Sequence, residues 1–487
     1  MRNLLKAMLT TGGASVVGQI LSLIVNKILA HFVGATGIGF YSLCRQVHES
    51  AAGIGGLGAG GLLQGLAARQ GDERNRLLRA ALILSSLGAA ATAAMLLAAP
   101  QFVADWLFAR SDALALTAVR LCAVTAIIAI GYGLLSSIVN AARAIILLAL
   151  MGVAGAVAAA LIAWPVALAA VDQPYALVAL IALPLLVQMA IGAAALPRLG
   201  WRWSDLFGEA GRPGRAEFRY FAGFLAFNVT LTAVVVGTML FVRASIVHSD
   251  GLAGAGLFAA GWGIGMQSMS LVLSSFGTYV LPTLAGTTPD QRRKVLQDAA
   301  TLVLALSLPL LTALLVLKPL ALRILFTAEF LPAVALLQWL LLGNYLKAVA
   351  WVAAVPFLAT ADLRRYAVIE IGWYVLFAGG VALGMQSMHW LPAIGASFVG
   401  SYLLYFLTAL WLADRRFGFR LSMRSTMVLL AGAALLVLAA LLTWNDTSVN
   451  WALAVPLPIA AATVALLALT PQQRRRGREL AWRMVGR

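Results

Sequence analysis

The chain has 487 residues, of which 62% are hydrophobic and 11% charged, and a mean hydropathy of +0.92. A soluble domain carries about a quarter charged residues, so this composition excludes a water-soluble globular protein and makes the bilayer the solvent. The net charge of +17 would suit a nucleic-acid binder, but the basic residues are spread over short connections between apolar runs, and no nucleic acid is expected as a partner.

Taking about 20 apolar residues per crossing, spans are predicted near 8–33, 39–67, 77–98, 116–140, 144–169 and 174–196. The first is longer than a secretory signal core and has no A-x-A cleavage site close behind it, so it reads as a retained helix. A basic stretch interrupted by Gly and Pro, from Pro197 to Arg219, leads to spans near 218–247, 254–286, 299–317, 333–358, 365–386 and 391–413. Two more, near 425–443 and 449–469, precede a basic tail. The expected fold class is an all-α polytopic membrane protein of about fourteen transmembrane helices. Its expected parts are a six-helix lobe over 1–197, a cytoplasmic linker over 198–217, a second six-helix lobe over 218–420, two extra helices over 421–470 and a basic tail over 471–487. Cys44 and Cys122 fall in or near apolar segments and imply neither a disulfide framework nor a metal site.

The distribution of Lys and Arg among the connections sets the expected orientation. With the N-terminus inside, about 27 of the 35 basic residues fall on the cytoplasmic side, including the groups at 69–79, 198–219, 292–294, 364–365, 415–424 and 474–487. Arg110, Lys318 and Arg323 are left for the outer loops. An even number of spans then places both termini in the cytoplasm.

An internal repeat underlies the pattern. At an offset of 217 residues His31 meets His248, Gly34 meets Gly251, Gly37 meets Gly254 and Gly39 meets Gly256, and the basic loop at 71–80 falls on 288–297. At an offset of 218, Arg198, Gly200 and Arg202 meet Arg416, Gly418 and Arg420. Six spans per repeat give the two halves one orientation, related by an axis along the membrane normal, with a site between lobes as the default for a transporter.

Five cations remain inside the predicted spans: Lys27, Arg45, Arg120, Arg243 and Lys347. Each costs roughly 2.5–3.5 kcal/mol at the bilayer centre, together on the order of 10 kcal/mol. Only Glu49 and Glu370 accompany them. Arg45 and Glu49 are four apart and can bridge on one helix face, and Glu370 can serve Lys347 from the next helix, which leaves about three cations to be hydrated and partnered by other means. A water-filled cavity receiving an anion does both. Lys27 and Arg243 occupy corresponding depths of the repeated first and seventh helices and are expected to face each other across the pseudo-twofold, as a pyrophosphate would require; snorkelling to the outer interface is the other reading. Arg45 and Lys347 complete the expected pyrophosphate contacts. Asn26 and Asn344, like Gln19, Asn228 and Gln267, suit either sugar hydroxyls or interhelical hydrogen bonds. Trp262, Trp339, Trp351 and Trp373 suit either sugar stacking or packing. Glu49, Glu370, His31, His48 and His248 are the candidates for coupling protons, histidine titrating nearest neutral pH; for each histidine a structural role is the alternative.

The sequence contains no GxxxxGK[ST] run, no zinc-ligand cluster and no loop longer than about 20 residues. ATP hydrolysis on this chain and an integral-enzyme role are therefore not expected. A multidrug exporter for cations should carry an excess of intramembrane acids rather than bases, and a scaffold has no use for intramembrane cations.

The segments NKILAHFVGATGIGFYSLCRQ (26–46), LGAGGLLQGLA (57–67), TYVLPTLAG (278–286) and LLGNYLKAVAWVAAVPFLATADLRRYAVIE (341–370) resemble the multidrug/oligosaccharidyl-lipid/polysaccharide superfamily, and within it the Wzx-type flippases of O-antigen and enterobacterial common antigen. The resemblance implies a V-shaped, two-lobed fold with a positively charged cavity lined by the first, second, seventh and eighth helices, which carry Lys27, Arg45, Glu49 and Arg243. It implies translocation of an undecaprenyl-pyrophosphate-linked oligosaccharide to the periplasmic leaflet of the bacterial inner membrane, no cofactor, and an ion gradient or membrane potential as energy source. The implied partners are that polyprenyl-pyrophosphate-linked oligosaccharide, membrane lipids, and a polysaccharide polymerase or chain-length regulator. The two extra helices are similar instead to the fourteen-span layout of the lipid II flippase.

Overall fold

The structure is a computed structural model that describes residues 2–56, 62–69, 71–201, 212–285, 289–360 and 362–469. Most of the basic linker, the tail from 470 onward and parts of the 57–67 and 278–286 segments lie outside the described residues.

Among the described residues every regular element is helical, because in hydrocarbon a backbone can satisfy its N–H and C=O groups within a single segment only as a helix. The helices are α1 (Arg2–Phe32), α2 (Gly34–Gly55), α3 (Leu62–Ala68), α4 (Gly71–Ala98), α5 (Pro100–Phe108), α6 (Ala113–Ala141), α7 (Ile145–Asp172) and α8 (Ala179–Ala195). They continue as α9 (Arg215–Ala285), α10 (Pro289–Leu325), α11 (Val334–Ala359), α12 (Leu363–Gly384), α13 (Trp390–Phe417), α14 (Met423–Leu442), α15 (Trp451–Ala454) and α16 (Pro456–Ala468). Twelve described stretches are long and apolar enough to cross a membrane. The difference from about fourteen has two sources. The 71-residue α9 holds two crossings joined at Gly251, and α2 is long enough at 22 residues but is diluted by Arg45, Gln46, His48 and Glu49.

Helix ends follow their side chains. Asp112 caps α6, accepting from the Ala115 amide at 3.0 Å, and also receives Arg110. Partial burial pushes this carboxyl up, but the capping bond and Arg110 together hold it below the usual carboxylate range. Asp362 caps α12 and pairs with Arg365 in the same way.

The chain divides into two compact units, one made of 1–256 with 325–327 and the other of 257–324 with 328–487. In the first unit α1 packs on α7, α2 and α4 pack on α6, and α7 packs on α8. In the second, α11 and α12 pack on α13 and α14 packs on α16.

The sequence repeat reappears as backbone geometry. α1 and α2 part at Gly34, with φ of 59°, and its counterpart Gly251 breaks α9 with φ of 66°. Gly200 and Gly418, partners at the second offset, are also left-handed, with φ of 76° and 62°. Only glycine adopts this region without the roughly 1–2 kcal/mol that other residues lose to their Cβ. Five residues beyond the first pair, within the first unit, the repeated segments touch. A Cβ on Gly39 would sit 1.8 Å from the Leu252 carbonyl oxygen, and one on Gly256 would sit 1.9 Å from that of Ala35. Ala35 and Leu252 are themselves partners at the 217-residue offset, so the contact is reciprocal, as a pseudo-twofold requires.

The hairpin after the second repeat is tied to its own unit by polar bonds. Tyr345 donates to the Val428 carbonyl at 2.8 Å, and Gln338 donates to Asn445 Oδ1 at 3.0 Å and accepts from the Asn445 amide. Lys318, expected in an outer loop, is instead fully buried inside α10. Its ammonium donates to the Thr443 carbonyl at 2.5 Å and to Thr443 Oγ1 at 2.9 Å. The charge thus sits on the last carbonyls of α14, where the helix dipole favours a cation.

Two predictions follow from this packing. Gly39→Val and Gly256→Val are each expected to lower the thermal-unfolding midpoint in detergent or to abolish accumulation, while Gly263→Ala, whose Cβ meets nothing within 4 Å, leaves the midpoint unchanged. Lys318→Ala is expected to cost on the order of 2–4 kcal/mol through the lost stem and the orphaned carbonyl, and Lys318→Met, which keeps the stem volume, less; equilibrium unfolding in mixed micelles measures both.

Candidate functional site

α2 carries polar residues through its middle, and its helical spacing sorts them. Cys44 and His48, four apart, are buried toward α6: Cys122 Sγ donates to the Cys44 carbonyl at 3.4 Å, and His48 Nδ1 bonds Thr125 Oγ1 at 3.0 Å. Both cysteines are free thiols. Ser42, Arg45 and Glu49 fall together on another face, at i, i+3 and i+7. The bridge expected between Arg45 and Glu49 is present at 2.7 Å, with both side chains more than half exposed.

Arg243, from the first arm of α9, joins this face. Its Nη1 donates to Ser42 Oγ at 3.0 Å, and Ser42 in turn donates to the Gly39 carbonyl at 2.9 Å. The charged groups whose fields it feels most are Glu49 and then Arg45. The cluster of Ser42, Arg45, Glu49 and Arg243 therefore holds two guanidiniums against one carboxylate. Lys27 is engaged differently, its ammonium donating to the Phe326 carbonyl. Asn26 is half-buried on α1, His31 is exposed and edge-on to Phe32, and His248 Nδ1 donates to the Ala244 carbonyl at 2.8 Å.

The second unit holds another polar centre. The Lys347 ammonium lies 3.6 Å from Met266 Sδ and 5.6 Å from the centre of the Tyr402 ring. Glu370 accepts from Tyr405 at 2.8 Å, and Tyr366 stands one turn before it on the same helix. Lys347 and Glu370 lie in each other's field, but their described contacts do not include the expected direct bridge. Asn344 donates to the Gly265 carbonyl at 2.6 Å, an interhelical bond. Trp262 and Trp373 belong to a packed aromatic cluster, Trp262 stacking on Phe258 and Phe377 and Trp373 on Phe377. Gln267 is exposed on α9, and the side chain of Asn228 lies outside the described residues.

An apolar cavity of about 380 Å³ lies among α11, α13 and α14, lined by Trp339, Leu346, Val399, Leu436, Val437 and Trp444 among others. Sequence reasoning overlooked Ser42, Met266 and the tyrosines around Glu370. For Tyr366 and Tyr374 a signal was available, since they stand four residues before and after Glu370 on one helix face.

No family model matches the chain. The lipid III flippases of Escherichia coli K12 and Shigella flexneri are each 30% identical to it over 146 residues, 28% of this chain and 33% of theirs. The match thus spans about a third of the length of those curated relatives. Among solved structures, a multidrug resistance MATE family transporter of the MOP superfamily, in an inward-facing conformation, superposes with a TM-score of 0.68 at 14% identity over 82% of this chain and 94% of its own. The lipid II flippase MurJ, in an inward closed conformation, gives a TM-score of 0.68 at 12% identity over 98% of this chain and 99% of its own. The chain shares the fold of these two solved structures. A match that leaves out only 2% of the chain must include α14 and α16, so the lipid II flippase has counterparts of both extra helices.

Ser42→Ala removes the hydroxyl that receives Arg243. It is expected to cost about 1.5–3 kcal/mol, the range for a hydrogen bond to a charged group, read as a lowered unfolding midpoint that Arg243→Met in the same background does not lower further.

Proposed function

We propose that this chain is a flippase that carries an undecaprenyl-pyrophosphate-linked oligosaccharide, the repeat unit of an O-antigen, common antigen or exopolysaccharide, from the cytoplasmic to the periplasmic leaflet of the bacterial inner membrane by alternating access. In this reading both termini are cytoplasmic and the energy comes from an ion gradient or the membrane potential. The observation that carries it is the cluster of Arg45, Arg243, Ser42 and Glu49, two guanidiniums against one carboxylate within membrane helices. A pyrophosphate's oxygens match the planar fork of a guanidinium, and two guanidiniums side by side suit its charge.

Arg45 is held by little. An i,i+4 pair on an exposed helix face is worth about 0.3–0.5 kcal/mol, so the guanidinium can leave Glu49 for a phosphate at small cost. Glu49 then takes its place as partner to Arg243, whose field it already shares. Lys27 on α1, whose ammonium donates to the Phe326 carbonyl, adds a further cation to this unit. The similarity to lipid III flippases supports a lipid-linked glycan as cargo. The match over 98% of the chain to a lipid II flippase favours, as a second reading, a lipid II-type cargo with the same pyrophosphate chemistry. A multidrug exporter shares the fold but fits a basic interior poorly.

Arg243→Ala and Lys27→Ala are expected to abolish export of the surface polysaccharide in cells while leaving the amount of protein in the inner membrane unchanged. Normal polysaccharide in the double variant would sink the proposal, and a reconstituted protein that binds lipid II but not a polyprenyl-pyrophosphate oligosaccharide would select the second reading.

A further inference from the structure

We propose that Lys347 and Glu370 form a proton-loading centre that powers the cycle, and that Lys347 is not a ligand for the substrate's pyrophosphate. The inference names the energy source that the flippase reading leaves open, and it rests on that reading only for the cargo.

The geometry is that of two opposite charges kept apart. Glu370 lies on α12 between Tyr366 and Tyr374, one turn away on either side, and faces Tyr402 and Tyr405 of α13. Its carboxylate accepts from Tyr405 at 2.8 Å. Lys347 enters from α11, and its described partners are a thioether at 3.6 Å and the face of Tyr402 at 5.6 Å. A thioether is a weak acceptor, and a cation over an aromatic face gains about 0.5–2 kcal/mol, less than a desolvated ammonium obtains from a carboxylate. The titratable groups facing Glu370 are thus Lys347, Tyr366, Tyr374, Tyr402 and Tyr405. Tyr345 on α11 turns its hydroxyl to α14 instead.

With Lys347 charged and Glu370 ionised, the centre is neutral and suits a membrane interior. One proton arriving from one side of the membrane and bonding to a carboxylate oxygen leaves the ammonium without a counter-charge. The same proton weakens the charge-assisted bond by which Glu370 on α12 holds Tyr405 on α13. Three packed helices of one unit therefore change their preferred arrangement together, which is the kind of two-state element that coupling needs. Release of that proton to the other side restores the starting state, for one proton moved per cycle. A metal cation is a poor substitute for the proton, because the carboxylate already has an ammonium beside it and a second cation would be repelled.

The test uses the full-length protein in proteoliposomes. A gradient of one pH unit supplies about 1.4 kcal/mol, a factor of ten. Flipping of a fluorescent polyprenyl-pyrophosphate oligosaccharide by the unaltered protein is expected to rise by up to about tenfold under that gradient and not under a sodium gradient. In the charge-neutral double variant Lys347→Met, Glu370→Gln the ratio of rates with and without the pH gradient falls to one. A double variant that still responds to the pH gradient, or an unaltered protein driven by sodium, would overturn the inference. A substrate-free arm separates this from the cargo: infrared difference spectra on a pH jump should show a protonated-carboxyl band that Glu370→Gln abolishes. Where the double variant does not accumulate, Tyr405→Phe should move the titration of that band, and an unmoved band counts against the centre. If the band behaves as expected but no lipid is flipped, the cargo is wrong and the proton site stands.

Discussion

The reciprocal contact between the two copies of the repeat, Gly39 on Leu252 and Gly256 on Ala35, is the constraint from which the first unit's chemistry follows. Backbones that meet without any side chain between them fix the relative height of α2 and α9 to within a fraction of an ångström. The Gly39 carbonyl is also the acceptor for Ser42, whose oxygen receives Arg243. Helix contact and cationic cluster are therefore one chain of bonds, and a methyl group at the contact would displace the guanidinium as surely as it would separate the helices.

The same economy appears in how the protein tolerates charge in the bilayer. Counting acids against bases suggests a deficit of partners, but carboxylates are not the main currency. Lys318 is satisfied by a helix end and Lys27 by a backbone carbonyl, whereas Lys347 is met by sulfur and a ring face, both weak partners. Arg45 has a carboxylate partner, and it is also the cation whose bond is exposed. The interior thus contains cations that are structurally committed and others that are held lightly, and the lightly held ones are available for exchange with a ligand or a proton.

Much of the fold was legible in the sequence because it rests on local regularities: apolar runs of bilayer length, a duplication visible in aligned glycines, and an i,i+4 charge pair on α2. The expected span boundaries at 33–39 and 247–254 bracket the helix breaks at Gly34 and Gly251, and the matched glycines there mark the same left-handed residue in both copies. What could not be read depended on which distant group lies opposite. Lys318 follows an apolar run and precedes Pro319, which looks like the start of a loop until Thr443, 125 residues on, supplies its acceptors. Ser42 is an ordinary helix residue until Arg243 reaches it. Asn344 and the tryptophans suited ligand or packing equally, and only their neighbours put Asn344 on Gly265 and Trp262 and Trp373 in an aromatic core.

The bond from Lys318 to the end of α14 also sets an order of events during synthesis. At about 5–20 residues per second, the 125 residues that separate lysine from acceptor take roughly 6–25 s to be made. For that interval α10 carries a charge whose acceptors have not yet been made. The closing hairpin delivers the carbonyl and hydroxyl that this ammonium binds, so the end of the unit completes the burial of a charge laid down near its start.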